Sequence, residues 1–266
     1  MPQTTTPILF KINQQIAYLT LNRADVHNAF NEDMLTCFLE ALPKLHEDRN
    51  LRALVIQGAG PSFCSGADAQ WMRRMVNYTF QENCQDAKKL RDVLLMLKNL
   101  PIPILTKVHG ATMGGGIGLL ACSDIVVSTQ NALFGFTEVH LGLIPAIISP
   151  FVVEAIGARV AQKLFLTGER FSADYAQKVG LVHEISTPEN IEIVVQKNIE
   201  YILQGGKEAQ KKTKSLFQKI KEKQGLDETG LGEYTVQEIA HRRISTEGQE
   251  GLNAFLEKRA PIWQKK

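Results

Sequence analysis

Apolar and polar positions divide the chain into two regions of different period. Ile8–Ile12 and Ile16–Leu21 are short apolar-rich runs around a polar Asn13-Gln14-Gln15 step, which predicts two strands joined by a turn. Asn31 stands where a helix cap is wanted, with Glu32 and Asp33 in the following turn and apolar spacing onward to Leu45. Ala53–Gln57 is a compact apolar run closed by Gly58-Ala59-Gly60-Pro61, the signature of a buried strand. Gln81–Leu100 carries Leu90, Val93, Leu94 and Leu97 at helical spacing and stops at Pro101-Ile102-Pro103. Ile104–Val108 predicts a strand. A glycine cluster follows it, then a helix through Leu119-Leu120-Ala121, then a strand over Asp124–Ser128. Strands alternating with helices in this way predict parallel strands covered by helices.

Beyond about Pro188 the strand pattern gives way to helical spacing in Ile191–Leu203, Lys207–Ile220, Tyr234–Ile244 and Gly248–Lys258. A boundary near Thr187 therefore divides an α/β core, residues 1–187, from a helical element, residues 188–266. The lysine-rich stretch from Lys207 to Lys223 reads as a solvated helix face. No low-complexity linker or sequence repeat interrupts the chain.

Composition narrows the classes. The chain has 266 residues, 44% of them hydrophobic, enough to bury a sizeable core. Thirty basic and 28 acidic residues leave a net charge of +2, which gives no basis for a broad nucleic-acid-binding face. Cys37, Cys64, Cys84 and Cys122 are scattered and form no CxxC pair, so neither a cysteine metal site nor a disulfide framework is expected. Residues 1–7 are polar and threonine-rich, unlike a secretory leader, and no apolar run approaches the ~20 residues of a membrane span. A cytoplasmic protein without a membrane partner is the expectation.

Three segments could carry chemistry. Gly110 to Gly118 follows a strand and opens a helix. Its glycines allow close backbone approach, and a helix N-terminus offers free N–H groups to a phosphate or an oxyanion. The same segment serves equally well as a tight turn. It matches neither the G-x-G-x-x-G dinucleotide pattern nor a P-loop. Ser62-Phe63-Cys64-Ser65-Gly66-Ala67-Asp68 is a second loop of small residues ahead of a helix, with Asp68 a possible helix cap and Cys64 or Ser65 a possible nucleophile. In the third, Phe134 to Pro145, one carboxylate, Glu138, stands among Phe136, Val139, Leu141, Leu143 and Ile144. Apolar surroundings would raise its pKa toward a range useful for proton transfer. A cap or a surface ion pair is the plainer role for the same residue.

Together these segments resemble the enoyl-CoA hydratase/isomerase (crotonase) family. Phe63 to Asp68 is similar to its F-[AS]-x-G-x-D loop, Gly110 to Gly116 to its G-x-x-x-G-G-G segment, and Phe134 to Pro145 to its F-G-x-x-E-x-x-x-G-x-x-P run. Asn22 to Ala29, Leu166 to Arg170, Ala176 to Val182 and Gly251 to Arg259 resemble further family segments, so the likeness spans almost the whole chain. The resemblance implies an α/β fold, a crotonase-like superhelix of ββα turns with a helical C-terminal trimerisation region, in a homotrimer or a dimer of trimers. It implies an acyl-CoA substrate and no separate cofactor, because coenzyme A is part of that substrate, and no metal.

The resemblance assigns Glu138 as acid/base and the N–H groups of Ser65 and Gly115 as an oxyanion hole for the thioester oxygen. It places Val26, His27, Ser65, Gly66, Ala67, Asp68, Trp71 and Gly114 around the substrate, with Phe255 and Lys258 toward the nucleotide end of coenzyme A. Many family hydratases carry a second glutamate where this chain has Gly118, so either hydration or double-bond isomerisation through one glutamate fits, as does a non-catalytic acyl-CoA- or RNA-binding member. Leu143 to Phe151 and Trp71 to Met75 resemble a bacterial subgroup linked to methylglutaconyl-CoA hydration in leucine breakdown. There Arg73 and Arg74 could meet a distal carboxylate, although an exposed helix face is the simpler role for them.

Overall fold

The computed structural model describes residues 6–222 and 228–264. The polar N-terminal residues 1–5 and Lys223, at the end of the lysine-rich stretch, lie outside the described residues. Contacts divide the chain into two compact units. The first runs to Leu100 and resumes over Ile104–Gln196; the second comprises Pro101–Pro103 and the residues from Lys197 onward.

In the first unit, β1 (Ile8–Asn13) and β2 (Ile16–Leu21) form an antiparallel hairpin in which Ile8 faces Leu21 and Asn13 faces Ile16. Gln14 turns the chain with a left-handed φ of 53°. Asn31 caps α1 (Glu32–Glu47), its side chain accepting from the Met34 N–H at 2.9 Å. Strand β3 (Ala53–Gly58) lies parallel to β2, and its buried Ala-Leu-Val-Ile run explains its continuous apolar sequence. Next come α2 (Ala69–Met75), α3 (Phe80–Lys98), β4 (Ile104–Val108), β5 (Ala111–Met113), α4 (Gly115–Ala121), β6 (Ile125–Thr129) and β7 (Leu133–Gly135). After these follow α5 (Ser149–Ile156), α6 (Ala158–Thr167), β8 (Arg170–Ser172), α7 (Ala173–Lys178) and β9 (Glu184–Ser186).

The main sheet has the order β1-β2-β3-β4-β6-β9 and is parallel from β2 onward, as the alternating pattern predicts. A small sheet, β5-β7-β8, sits beside the glycine cluster. Its strands are three residues each, too short to give a period in sequence. Stacking of Phe134 on Phe171 (5.6 Å between rings) and of Phe136 edge-on to Phe165 (4.8 Å) anchors the end of β7, directly before Glu138. This unit is the α/β part of the fold.

The boundary of the second unit falls within α8 (Ile191–Gln204). It continues through α9 (Lys207–Glu222), α10 (Glu228–Ile244) and α11 (Thr246–Leu256). Helix α10 starts earlier than the apolar spacing from Tyr234 indicates. Helix α11 begins two residues ahead of Gly248, because the Ser245 side chain caps it through the Gly248 N–H.

Candidate active site

Two loops are laced together at the heart of the first unit. Cys64 donates its N–H to the Ala111 carbonyl and accepts from the Met113 N–H, at 3.1 and 2.9 Å. Gly116 has no side chain for a steric reason: a Cβ there would stand 2.8 Å from the Cys64 Cβ and 3.0 Å from its carbonyl oxygen. Cys64 itself is fully buried with its thiol pushed up to about 12 by desolvation, so it is a packing residue and not a nucleophile.

The backbone path decides which N–H groups remain free. Ser65 donates its N–H to the His27 carbonyl at 2.9 Å, so it cannot also serve an oxyanion. Gly66 then adopts φ +100°, which breaks the extended alternation. Phe30 brackets the next residue, donating to the Gly66 carbonyl and accepting from the Asp68 N–H. Among the described residues no acceptor meets the Ala67 N–H. The same is true of the Gly115 N–H, which opens α4 and has no partner within the helix. Ala67 and Gly115 line one cavity of about 340 Å³, a volume suited to a small ligand. The expected pair was Ser65 and Gly115; the N–H groups left free at this cavity are those of Ala67 and Gly115. The Ser65 side chain only reaches the Val26 carbonyl, at 3.3 Å.

Glu138 lies in the single-turn helix Thr137–Leu141 and lines the same cavity. Burial raises its pKa above the ordinary carboxylate value, only partly offset by a hydrogen bond from its own backbone. Its Oε2 is buried without a hydrogen-bond partner. Its Oε1 would stand 2.9 Å from a Cβ on Gly114, so the absence of a side chain at Gly114 is what lets the carboxyl approach the glycine cluster. Of the apolar neighbours read from sequence, Leu141, Leu143 and Ile144 line the cavity with it, whereas Phe136 and Val139 do not. No cation pairs with Glu138 among the described residues.

Other expected residues occupy different roles. Trp71, Gly66 and Gly114 line the cavity with Ser65. Asp68 does not: one of its oxygens pairs with Arg23 at 2.7 Å, and the other caps α2 through the N–H groups of Gln70 and Trp71. Val26 and His27 are not in the lining either; they hold the loop from behind, their carbonyls accepting from Ser65. Arg73 and Arg74 are exposed, and Arg74 is paired with Glu32 at 2.8 Å. Phe255 and Lys258 belong to the second unit, where both are exposed at the end of α11. Arg259, beside them, is held by Glu250 and Glu257.

Gly118 explains the missing second glutamate. A Cβ there would lie 2.7 Å from Ile148 Cγ2 and 3.3 Å from Leu94 Cδ1, so apolar side chains fill the space. Two polar residues of the lining, Asn83 and Asp86, were not singled out in sequence. Asp86 was legible in principle, since it continues the inward-facing α3 stripe of half-buried Leu90 and buried Val93, Leu94 and Leu97 one turn earlier.

Comparison with known proteins agrees with this architecture. The family model described as enoyl-CoA hydratase/isomerase matches residues 11–266. An enoyl-CoA hydratase structure from Shewanella pealeana superposes with a TM-score of 0.93 at 36% identity, covering 98% of this chain and 97% of that one. The (E)-benzylidenesuccinyl-CoA hydratase of Thauera aromatica is 28% identical over 97% of this chain and 99% of its own. The trans-2-decenoyl-[acyl-carrier-protein] isomerase of Streptococcus mutans is 27% identical over 96% of each. The chain belongs to the enoyl-CoA hydratase/isomerase family and has the crotonase fold.

Proposed function

We propose that this chain is an enoyl-CoA hydratase that works through a thioester enolate, with Glu138 as its acid/base. The observation that carries this is the meeting, in one cavity, of a buried carboxyl with an unpartnered oxygen and two backbone N–H groups without acceptors. The thioester oxygen would lie between the N–H groups of Ala67 and Gly115. They stabilise the charge that develops there, each worth ~2.7–4 kcal/mol in the transition state. Glu138 takes a proton from water as the hydroxyl adds to C3, then returns it to C2 as the enolate collapses. Loss of the conjugated enoyl absorbance of crotonyl-CoA tests this directly. A folded protein that turns over no enoyl thioester would overturn it.

A second reading, Δ3,Δ2-enoyl-CoA isomerisation, is favoured by Ile148 filling the space beside Gly118. Isomerisation needs one carboxyl to move a proton between C4 and C2 and no bound water. A 3-enoyl-CoA supplied to the same protein separates the two: a gain of conjugated absorbance without a hydroxyacyl product marks the isomerase. Among hydration substrates, 3-methylglutaconyl-CoA, an intermediate of leucine breakdown, is the first to try, on the likeness of Leu143–Phe151 and Trp71–Met75 to that subgroup. Its distal carboxylate would have to be met without Arg73 or Arg74.

We also propose Phe255 and Lys258 as contacts for the nucleotide part of coenzyme A, a cytoplasmic location, and assembly as a trimer or a dimer of trimers. No helix among the described residues is long and apolar enough to cross a membrane, which is compatible with that location. Light scattering reads the assembly. In Lys258→Ala, KM for the thioester should rise while kcat holds, because a phosphate contact serves ground and transition states alike.

A further inference from the structure

The far wall of the acyl cavity contains an acid that the proposed chemistry does not use. Asp86 is buried on α3, one turn before Leu90, whose Cδ2 lies 3.5 Å from the position of a Cβ on Gly115. Asp86 therefore sits roughly 6 Å further along the helix from that contact. Its Oδ1 accepts from the Trp71 Nε1–H at 3.2 Å. Its Oδ2 has no hydrogen-bond partner among the described residues. Asn83, also in the lining, spends its amide N–H groups on the Tyr78 and Thr79 carbonyls, which leaves its oxygen as an acceptor. Around these two the wall is apolar, with Met72, Met75 and Ala87, and no Lys, Arg or His lines the cavity.

A plain alkyl chain entering this space would strip water from Oδ2 and return nothing, whereas a polar chain would complete the carboxyl. Sites of this kind reject the substrate that lacks the matching polar group. We propose that Asp86 determines specificity in the acyl cavity and selects an acyl group bearing an oxygen substituent, a carboxylate or a hydroxyl, toward the wall formed by α2 and α3. This rests on the reading of the cavity as an acyl-thioester site. Burial raises the pKa of Asp86; Trp71, Lys89 and Arg74 oppose that, and Glu32 adds to it. Glu138 is the other ionisable group of the lining. An Asp86 that keeps its proton can donate to a substrate carboxylate, and an ionised Asp86 can accept from a substrate hydroxyl.

The test is calorimetric binding of three unreactive thioesters, butyryl-CoA, 4-hydroxybutyryl-CoA and glutaryl-CoA, to the wild type and to Asp86→Leu. The wild type should bind one of the oxygen-bearing thioesters at least about tenfold more tightly than butyryl-CoA. Asp86→Leu should erase that preference, chiefly by binding butyryl-CoA more tightly than the wild type does, because the alkyl chain no longer desolvates a carboxyl. If Asp86→Leu does not fold by circular dichroism, Asp86→Ala is read in the same way. A glutaryl-CoA preference that fades as pH rises identifies the carboxylate held by a protonated Asp86, whereas a preference for 4-hydroxybutyryl-CoA identifies the hydroxyl. Equal affinities in the wild type, or a preference that survives the substitution, would overturn the assignment of Asp86 while leaving the acyl site standing. Failure of all three thioesters to bind would overturn the acyl-site reading itself, and the assignment of Asp86 with it.

Discussion

Replacing Glu138 by Gln removes one proton-transferring group and changes little else in shape. A positioned acid/base is worth about 10²–10⁴ in rate, which at ~1.36 kcal/mol per decade is roughly 2.7–5.4 kcal/mol of barrier. The structure places the expected loss in the upper half of that range. The site beside Gly118 is filled by Ile148 and Leu94, so no second glutamate stands there to take over. The N–H groups of Ala67 and Gly115 are untouched, so KM for crotonyl-CoA should change less than about threefold while kcat collapses.

The same substitution has a signature in stability. Burial raises the Glu138 pKa, so the folded state holds the proton more tightly than the unfolded state does. Wild-type stability from this group therefore falls as pH climbs from the ordinary value of 4.5 to the raised folded value, and is level above it. Glu138→Gln lacks that loss. Its melting temperature should gain on the wild type as pH increases through this window and stay parallel beyond it. Thermal melts from pH 4 to 8, beside the crotonyl-CoA absorbance assay, read both effects. A folded Glu138→Gln protein with kcat within threefold of wild type would refute the assignment. A pH-independent difference in melting temperature would refute the account of its burial.

Other outcomes follow from neighbouring contacts. Ser65→Ala should keep kcat within about threefold, since its hydroxyl reaches only the Val26 carbonyl, whereas Gly115→Pro deletes an N–H and should cost about 10²–10³ in kcat in a protein shown folded by circular dichroism. Gly116→Ala drives a methyl against the Cys64 backbone and should lower stability by about 1–3 kcal/mol in denaturant titration. Burial raises the Asp68 pKa, but Arg23 and the Gln70 and Trp71 N–H groups outweigh it and hold the carboxyl below its ordinary value of 3.8. Its stabilisation is present above that value and lost as pH falls through the depressed one, so Asp68→Asn should flatten the acid limb of the stability curve.

The parallel core was legible because buried strands leave unbroken apolar runs, as in Ala53–Gln57, and α1 because Asn31 caps it visibly. The small β5-β7-β8 sheet was not, since three-residue strands carry no period. The acid/base candidate was legible as a carboxylate isolated among apolar residues. Of the two N–H positions, Gly115 was named and Ala67 was not, because the choice between Ser65 and Ala67 depends on which way one peptide group turns. The Ser65 N–H goes to His27, Gly66 then turns the backbone at φ +100°, and the Ala67 N–H is left unmatched; spacing alone holds no record of that rotation.

The exchange of a glutamate for Gly118 affects more than the count of carboxylates. A glutamate there would need the volume now taken by Ile148, so regaining it requires a change in the segment before α5 as well as at α4. Under the proposed function, packing thus leaves Glu138 as the one carboxyl beside the glycine cluster. The remaining carboxyl of the lining, Asp86, sits on α3, the helix whose Leu90 and Leu94 pack against the glycine cluster. One helix therefore both packs against Gly115 and presents the carboxyl that, in our proposal, meets the acyl chain. A substitution that shifts α3 to suit a longer acyl group must also disturb Gly115 through Leu90, which ties substrate range to rate. Changes at Asp86 that leave Leu90 and Leu94 in place are the ones that can alter the first without the second.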